Sequence, residues 1–120
     1  MAKRHNLEDQ YQTMFFKWLV LAFPIEDKIT FAIANGGKRD PREGMRLKRQ
    51  GVKKGVFDVF MSIPKKGYPG LYIEFKVSPN KPTKEQREFQ QRVRNVGYLA
   101  EVCYDFDEAK ELVEDYLSED

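Results

Sequence analysis

The sequence predicts an α/β sandwich, a small mixed sheet flanked by helices. Three observations point to it. Apolar residues recur at helical spacing over residues 7–23. Residues 28–34, 56–63, 71–77 and 98–104 are rich in β-branched and aromatic side chains, as strands are. Helices and strands follow one another in the order α-β-(α)-β-β-α-β-α, with no internal repeat, low-complexity tract or linker.

The first helix carries Leu7, Tyr11, Met14, Phe15, Trp18, Leu19 and Ala22 on one face, with Asn6 as its expected N-cap and Pro24 as its stop. The strand of residues 28–34 ends at Asn35-Gly36-Gly37. Pro41, at a first helical position, opens a short helix to about Gln50 that Gly51 closes. Gly55 precedes the second strand. The turn Pro64-Lys65-Lys66-Gly67-Tyr68-Pro69-Gly70 joins it to the third, and so short a link favours an antiparallel hairpin over a helical crossover. Thr83 caps a helix of residues 83–96, with Gln86 at capping-box spacing and Gly97 as its stop. After the fourth strand, Asp105 or Asp107 caps a last helix to about Leu117.

Composition bounds the function. The 120 residues amount to one domain, residues 1–120, and 41% hydrophobic content is too much for a disordered chain. The longest apolar stretch, residues 18–23, is far short of the roughly 20 residues that span a bilayer. No signal-peptide core follows Met1-Ala2-Lys3-Arg4-His5-Asn6, so a cytoplasmic location is expected. Cys103 is the one cysteine and His5 the one histidine, which excludes an internal disulfide, a zinc ribbon or finger, a haem motif and a His-bearing triad of obvious spacing. A metal bound here must be hard and carboxylate-ligated.

The formal net charge of +2 hides a segregation. Residues 38–54 hold eight Lys or Arg against Asp40 and Glu43, a local +6, whereas residues 101–120 hold nine acids against one Lys. The basic block (Lys38, Arg39, Arg42, Arg46, Lys48, Arg49, Lys53 and Lys54) lies beside a glycine-rich loop and is a candidate phosphate-binding surface; the alternative is a solvated helix face. The acidic stretch reads as a solvated helix.

The chemistry centres on Asp58, Glu74 and Lys76. Asp58 stands among Val56, Phe57, Val59 and Phe60, where a carboxylate is costly unless solvated, paired or bound to a cation. Glu74 and Lys76, two apart on a strand, project to one face, and Ile73, Phe75 and Val77 to the other. A hairpin about residues 64–70 can bring Asp58 level with Glu74 on the adjacent strand. Two converging carboxylates repel unless a divalent cation joins them, and Mg²⁺ suits such a pair with a backbone carbonyl and water. The plain alternative is an exposed Glu74–Lys76 pair with Asp58 starting a turn; the apolar context of both strands speaks against it. Glu8 lies on the rim of the first helix's apolar face. Gln86 falls within the arc of Phe89, Val93 and Val96, with Glu85 flanking that arc about equally on its other side.

In order and at compact spacing, these pieces resemble a virus-type replication-repair nuclease (VRR-NUC) domain, a branch of the PD-(D/E)XK nuclease superfamily. The resemblance comprises Glu8 in the first helix, Asn35-Gly36-Gly37-Lys38-Arg39, the run from Leu47 to Gly55, Val56-Phe57-Asp58, Gly70-Leu71-Tyr72-Ile73-Glu74-Phe75-Lys76, Thr83-Lys84-Glu85-Gln86 and Val96-Gly97-Tyr98. It implies a restriction-endonuclease-like three-layer sandwich, Asp58 and Glu74 as metal ligands with the Phe75 carbonyl, Lys76 as the catalytic lysine, and Glu8 and Gln86 in support. The implied cofactor is Mg²⁺ or Mn²⁺. One departure stands out: the family usually has Pro before the metal-binding Asp, and here Phe57 takes that place. Proline there guides the chain into the strand and does not touch the metal, so the site is expected to survive.

A metal-dependent, structure-selective DNA endonuclease is the reading that follows, resolvase-like and acting on branched DNA. The rivals are a flap or single-strand endonuclease and a non-catalytic basic DNA-binding protein. The resemblance extends to small stand-alone members that are similar to Holliday-junction resolvases and act as dimers. A symmetric homodimer is accordingly expected, with the apolar excess of Phe15, Phe16, residues 18–23 and Tyr68 as contact material; the alternative is that this excess meets the sheet and last helix within one chain.

Overall fold

The computed structural model describes residues 4–34 and 41–119, with side chains from Leu7 onward. Helix α1 (Arg4–Ala22) buries Phe15 and Leu19 completely. It starts at Arg4, so Asn6 sits inside it and is not its N-cap. Pro24 ends α1 as expected but also opens α2 (Pro24–Asp27), a single turn absent from the sequence reading. Proline lacks only an N–H that a first helical turn leaves unused, so one residue can do both.

Strand β1 (Thr30–Ala32) leads to α3 (Pro41–Arg49), which begins at Pro41 and buries none of its residues. Its C-terminus closes as the glycine requires. Gly51 takes φ +99°, and the N–H groups of Gly51 and Val52 donate to the carbonyls of Lys48 and Leu47, each at 3.0 Å, in a Schellman pattern. Strands β2 (Val59–Met61) and β3 (Leu71–Phe75) form the expected antiparallel hairpin, with Val59 opposite Ile73. Helix α4 (Lys84–Asn95) carries the chain across to β4 (Leu99–Cys103), parallel to β3, and α5 (Phe106–Leu117) follows. Sheet order is β1-β2-β3-β4, with β1 antiparallel to β2. Asp105, not Asp107, caps α5 by accepting from the Glu108 N–H at 2.8 Å.

The strands are shorter than their sequence patterns. β2 keeps three residues of the run 56–63. Pro64 cannot donate to a ladder, and beyond Val59–Met61 pairing with the neighbouring strand is reduced to single bonds: Ile33 N–H to the Asp58 carbonyl at 2.7 Å and Ser62 N–H to the Ile29 carbonyl at 3.1 Å.

Three layers result. Leu71, Ile73 and Phe75 of β3, with Val59 and Met61 of β2, face α1 and α5 and pack with Phe15, Leu19, Ala109, Val113 and Tyr116. Tyr72 and Glu74 take the α4 side, as strand alternation dictates. There Tyr72 meets Phe60, Phe89 and Tyr98 at ring-centroid distances of 4.5, 5.1 and 5.4 Å. One face of the sheet is thus a closed apolar core of aliphatic and aromatic side chains, and the other passes from an aromatic cluster into polar residues. On the outer side of β4, Gln90 and Arg94 both donate to the Ala100 carbonyl at 2.9 Å, covering the sheet edge. Among the described residues no helix is long and apolar enough to cross a membrane.

Candidate active site

The hairpin sets the site's geometry. With Val59 opposite Ile73, Asp58 falls level with Glu74 one strand away. Asp58 stands just before β2, where the ladder ends, and its carboxylate takes over from the backbone: Oδ2 accepts from the Phe75 N–H at 3.0 Å. This bond aims the side chain across the end of β3. Phe75 joins the site through that N–H. Beyond β3, the Lys76 N–H donates to the Cys103 carbonyl at 3.0 Å, which prolongs the parallel ladder by one residue and keeps Lys76 on the face of Glu74. Its ammonium lies 3.8 Å from Glu74 Oε2.

Glu74 is 2% exposed. Gln86 of α4 donates from Nε2 to Glu74 Oε2 at 2.9 Å, while Glu74 Oε1 is buried with no hydrogen-bond partner among the described residues. The same Gln86 amide accepts from the Thr83 N–H at 2.9 Å through Oε1, and its backbone N–H donates to Thr83 Oγ1 at 3.2 Å. The capping box anticipated from sequence is therefore also the device that holds the site glutamine. Glu85, which flanked the same helical arc, is placed instead beside Gly55.

Burial pushes the Glu74 carboxyl up to about 8, and the nearby Asp58 carboxylate pushes the same way; Lys76 pulls it down, and Glu8 on α1 adds a smaller upward push. Asp58, Glu74, Lys76, Gln86 and Glu8 thus share one electrostatic neighbourhood. A carboxyl this reluctant to ionise is stabilised as an anion by a cation. Among the described residues no three His, Cys, Asp or Glu side chains form a metal-holding group, so the candidate ligand set is the pair Asp58 and Glu74. Hard oxygens, one of them a buried orphan, fit Mg²⁺ or Mn²⁺, which bind through one or two carboxylates and otherwise keep water.

Phe57, where the family has proline, is fully buried and packs on Phe89 of α4 at 5.4 Å. An aromatic anchor replaces a rigid ring in positioning the approach to Asp58. Gly55 has φ +92°, and a Cβ there would stand 2.6 Å from the Glu85 backbone. The loop after α3 is consequently pressed against the first turn of α4, next to Gln86. The sequence marks Gly55 as a glycine preceding a strand; the contact partner is invisible there.

The described part of the basic block lies on α3 and in the loop that follows it. Arg42, Arg46, Lys48 and Arg49 are exposed on α3, and Lys53 and Lys54 are exposed in the loop that follows. Arg46 pairs with Glu43, one turn before it, its Nε 3.3 Å from Oε2. Lys38 and Arg39 lie outside the described residues, as does the Asn35-Gly36-Gly37 break.

A mixed sheet that sets an aspartate and a Glu-x-Lys pair side by side at its strand ends has the layout of a PD-(D/E)XK nuclease. The chain belongs to the VRR-NUC domain family, whose domain matches residues 8–106, and is by that membership a nuclease of the PD-(D/E)XK type. A solved structure described as a VRR_NUC domain protein is similar to it at 25% identity and a TM-score of 0.81, covering 92% of this chain and 88% of the other. No curated protein matches it significantly. The three-layer, restriction-endonuclease-like expectation holds. Nuclease domains of this family generally depend on a divalent metal.

Proposed function

We propose that the protein is a structure-selective DNA endonuclease, resolvase-like, that hydrolyses phosphodiester bonds with Mg²⁺ or Mn²⁺ and works as a homodimer on branched DNA. The observation that carries this reading is Glu74. It is buried level with Asp58, fixed by Gln86, accompanied by Lys76 at 3.8 Å, and left with one oxygen that has no partner among the described residues.

Asp58 and Glu74, with the Phe75 carbonyl, are the proposed ligands. A divalent cation held there supplies Lewis-acid charge at a phosphate oxygen and lowers the pKa of water. The chain's own groups do the rest. Gln86 fixes the rotamer of Glu74, so the carboxylate does not reorganise when substrate arrives. Lys76, on the same face, donates hydrogen bonds to an attacking water or to the phosphate and offsets the charge that builds up in the transition state. Glu8 lends negative charge from α1. Arg42, Arg46, Lys48, Arg49, Lys53 and Lys54, with Lys38 and Arg39, grip backbone phosphates; such contacts position DNA without reading its sequence, which favours recognition by shape.

Dimerisation draws on the exposed part of the apolar set first expected, Val20 and Leu21, together with Ile25. Phe15 and Leu19 are fully buried in the chain's own core, and Phe16, Trp18 and Phe23 pack against it. Leu21 is 84% exposed and Ile25 69%, with Val20 also exposed, so the apolar surface left for a partner lies at the end of α1 and on α2.

The test is a panel of labelled four-way junction, flap, splayed-arm and linear duplex DNAs incubated with Mn²⁺. Paired symmetric nicks in the junction are expected. Intact junctions beside cut flaps would reject the resolvase reading, and a fully intact panel would reject the endonuclease.

A further inference from the structure

Asp58 has a second neighbour besides the metal site. Its side chain turns toward β3, whereas its carbonyl accepts from the Ile33 N–H at 2.7 Å on the β1 side. Ile33 belongs to the wall of a cavity of about 330 Å³. Ile33, Ala34, Val52 and Val56 make its apolar sides; Gln50 and Lys53 supply the polar ones. We propose that this cavity receives an unpaired nucleobase of the strand being cut. The inference rests on the endonuclease reading and names the feature of DNA that the enzyme selects.

Position, wall chemistry and charge support it. Neighbouring strands lie about 4.8 Å apart, so the cavity is one strand removed from the carboxylates, within the reach of a nucleotide from its phosphate across the sugar to the base. A base has apolar faces and polar edges. The aliphatic side chains suit the faces, and the Gln50 amide offers both a donor and an acceptor to an edge. The Lys53 ammonium, with Lys48, Arg49 and Lys54 near it in sequence, suits the anionic backbone that accompanies the base. The wall is also held in place: the Gly51 and Val52 amides are committed to the α3 cap, and Gly55 pins the same loop to α4. A base stacked in a duplex must be unpaired to enter, and that cost is least at a branch point, flap or gap. Selectivity for DNA shape then arises beside the scissile phosphate, with no base-specific contact required.

The test scans single abasic sites along the cut strand of a branched substrate, which leaves the protein unaltered. One position next to the cleavage point should lower kcat/KM at least tenfold. Val52→Phe, which fills the cavity, should lower cleavage of the intact substrate to a similar level and abolish sensitivity to that abasic site, while Mn²⁺ binding by calorimetry stays unchanged. As a readout independent of cleavage, 2-aminopurine at that position should brighten on binding Glu74→Gln and not on binding the Glu74→Gln/Val52→Phe double variant. Uniform cleavage across the abasic series by an active wild-type protein would overturn this inference alone, as would undiminished abasic sensitivity in Val52→Phe. Failure of the wild-type protein to cut any DNA would overturn the endonuclease reading along with it.

Discussion

At the scale of single residues, Glu74 carries the most chemistry because it is placed at odds with its own charge. Its carboxyl is raised to about 8 in the folded chain and returns to an ordinary value on unfolding. Between those values the folded state binds more protons than the unfolded one, so this group's contribution is complete at acidic pH and is lost as pH rises toward 8. In EDTA, urea unfolding should therefore show wild-type stability falling relative to Glu74→Gln between pH 5 and pH 8, by at most about 1.4 kcal/mol per pH unit. Mg²⁺ should restore it at pH 8. Parallel stability profiles for the two proteins would remove the argument for a cation. In cleavage assays, Asp58→Asn and Glu74→Gln keep shape and lose ligand charge, so both should be inactive yet bind DNA within a few fold of wild type. Lys76→Ala should be nearly as inactive and still bind the metal. Gln86→Ala should cost about 10–100-fold in metal affinity or activity, the usual cost of losing a ligand's supporting partner. Clear Mn²⁺-dependent cutting by Asp58→Asn would reject the site.

At the scale of elements, the loop between α3 and β2 ties the basic surface to the helix that carries Gln86. Gly51 and Gly55 both have positive φ, but a Cβ meets nothing within 4 Å at Gly51 and the Glu85 backbone at 2.6 Å at Gly55. Alanine at either should lose more than about 1 kcal/mol from the left-handed backbone alone. Gly55→Ala should lose more than Gly51→Ala and should also lower kcat, because relief of the clash moves the first turn of α4 and Gln86 with it. Equal losses at the two positions in denaturant titrations would mean the contact is not felt. On α3, the Glu43 pairing occupies the Arg46 guanidinium, which leaves Arg46 the weakest of the candidate phosphate ligands there. Lys48→Ala and Arg49→Ala should each flatten the log–log salt dependence of DNA binding by about 1. Arg46→Ala should flatten it less. An unchanged slope in all three would show α3 to be a solvated face.

At the scale of the whole molecule, one site cuts one strand, and resolving a junction needs two. A two-fold dimer supplies the second. Leu21→Glu with Ile25→Glu places charge on the exposed end of α1 and on α2 without touching the buried Phe15 and Leu19. Light scattering should give twice the chain mass for the wild type and the chain mass for the double variant, with unchanged circular dichroism and single nicks in place of paired ones. A monomeric wild type would remove the dimer and leave the nuclease assignment in place.

What the sequence determined by itself is what neighbours along the chain control. Helical and strand periodicity, the Thr83–Gln86 box, the Gly51 and Gly97 stops, and the short link that makes a hairpin are all local, and from them follow the layers and the alignment of Asp58 with Glu74. Tertiary structure decided what depends on contacts from distant segments. Helix α4 brings Gln86 onto Glu74, α1 brings Glu8 near it, and the surrounding layers remove water from one of its oxygens. Local patterns also overstate strand length, because pairing stops where a partner strand ends, and they cannot tell that Pro24 starts a helix as well as ending one. The apolar excess on α1 divides in the same way: hydrophobic spacing marks a face, but only packing shows that Phe15 and Leu19 are consumed within the chain while Val20 and Leu21 stay exposed. Burial and charge coupling act through space and fall off with distance, whatever the separation in sequence, so the ionisation of Glu74 is a property of the folded chain alone.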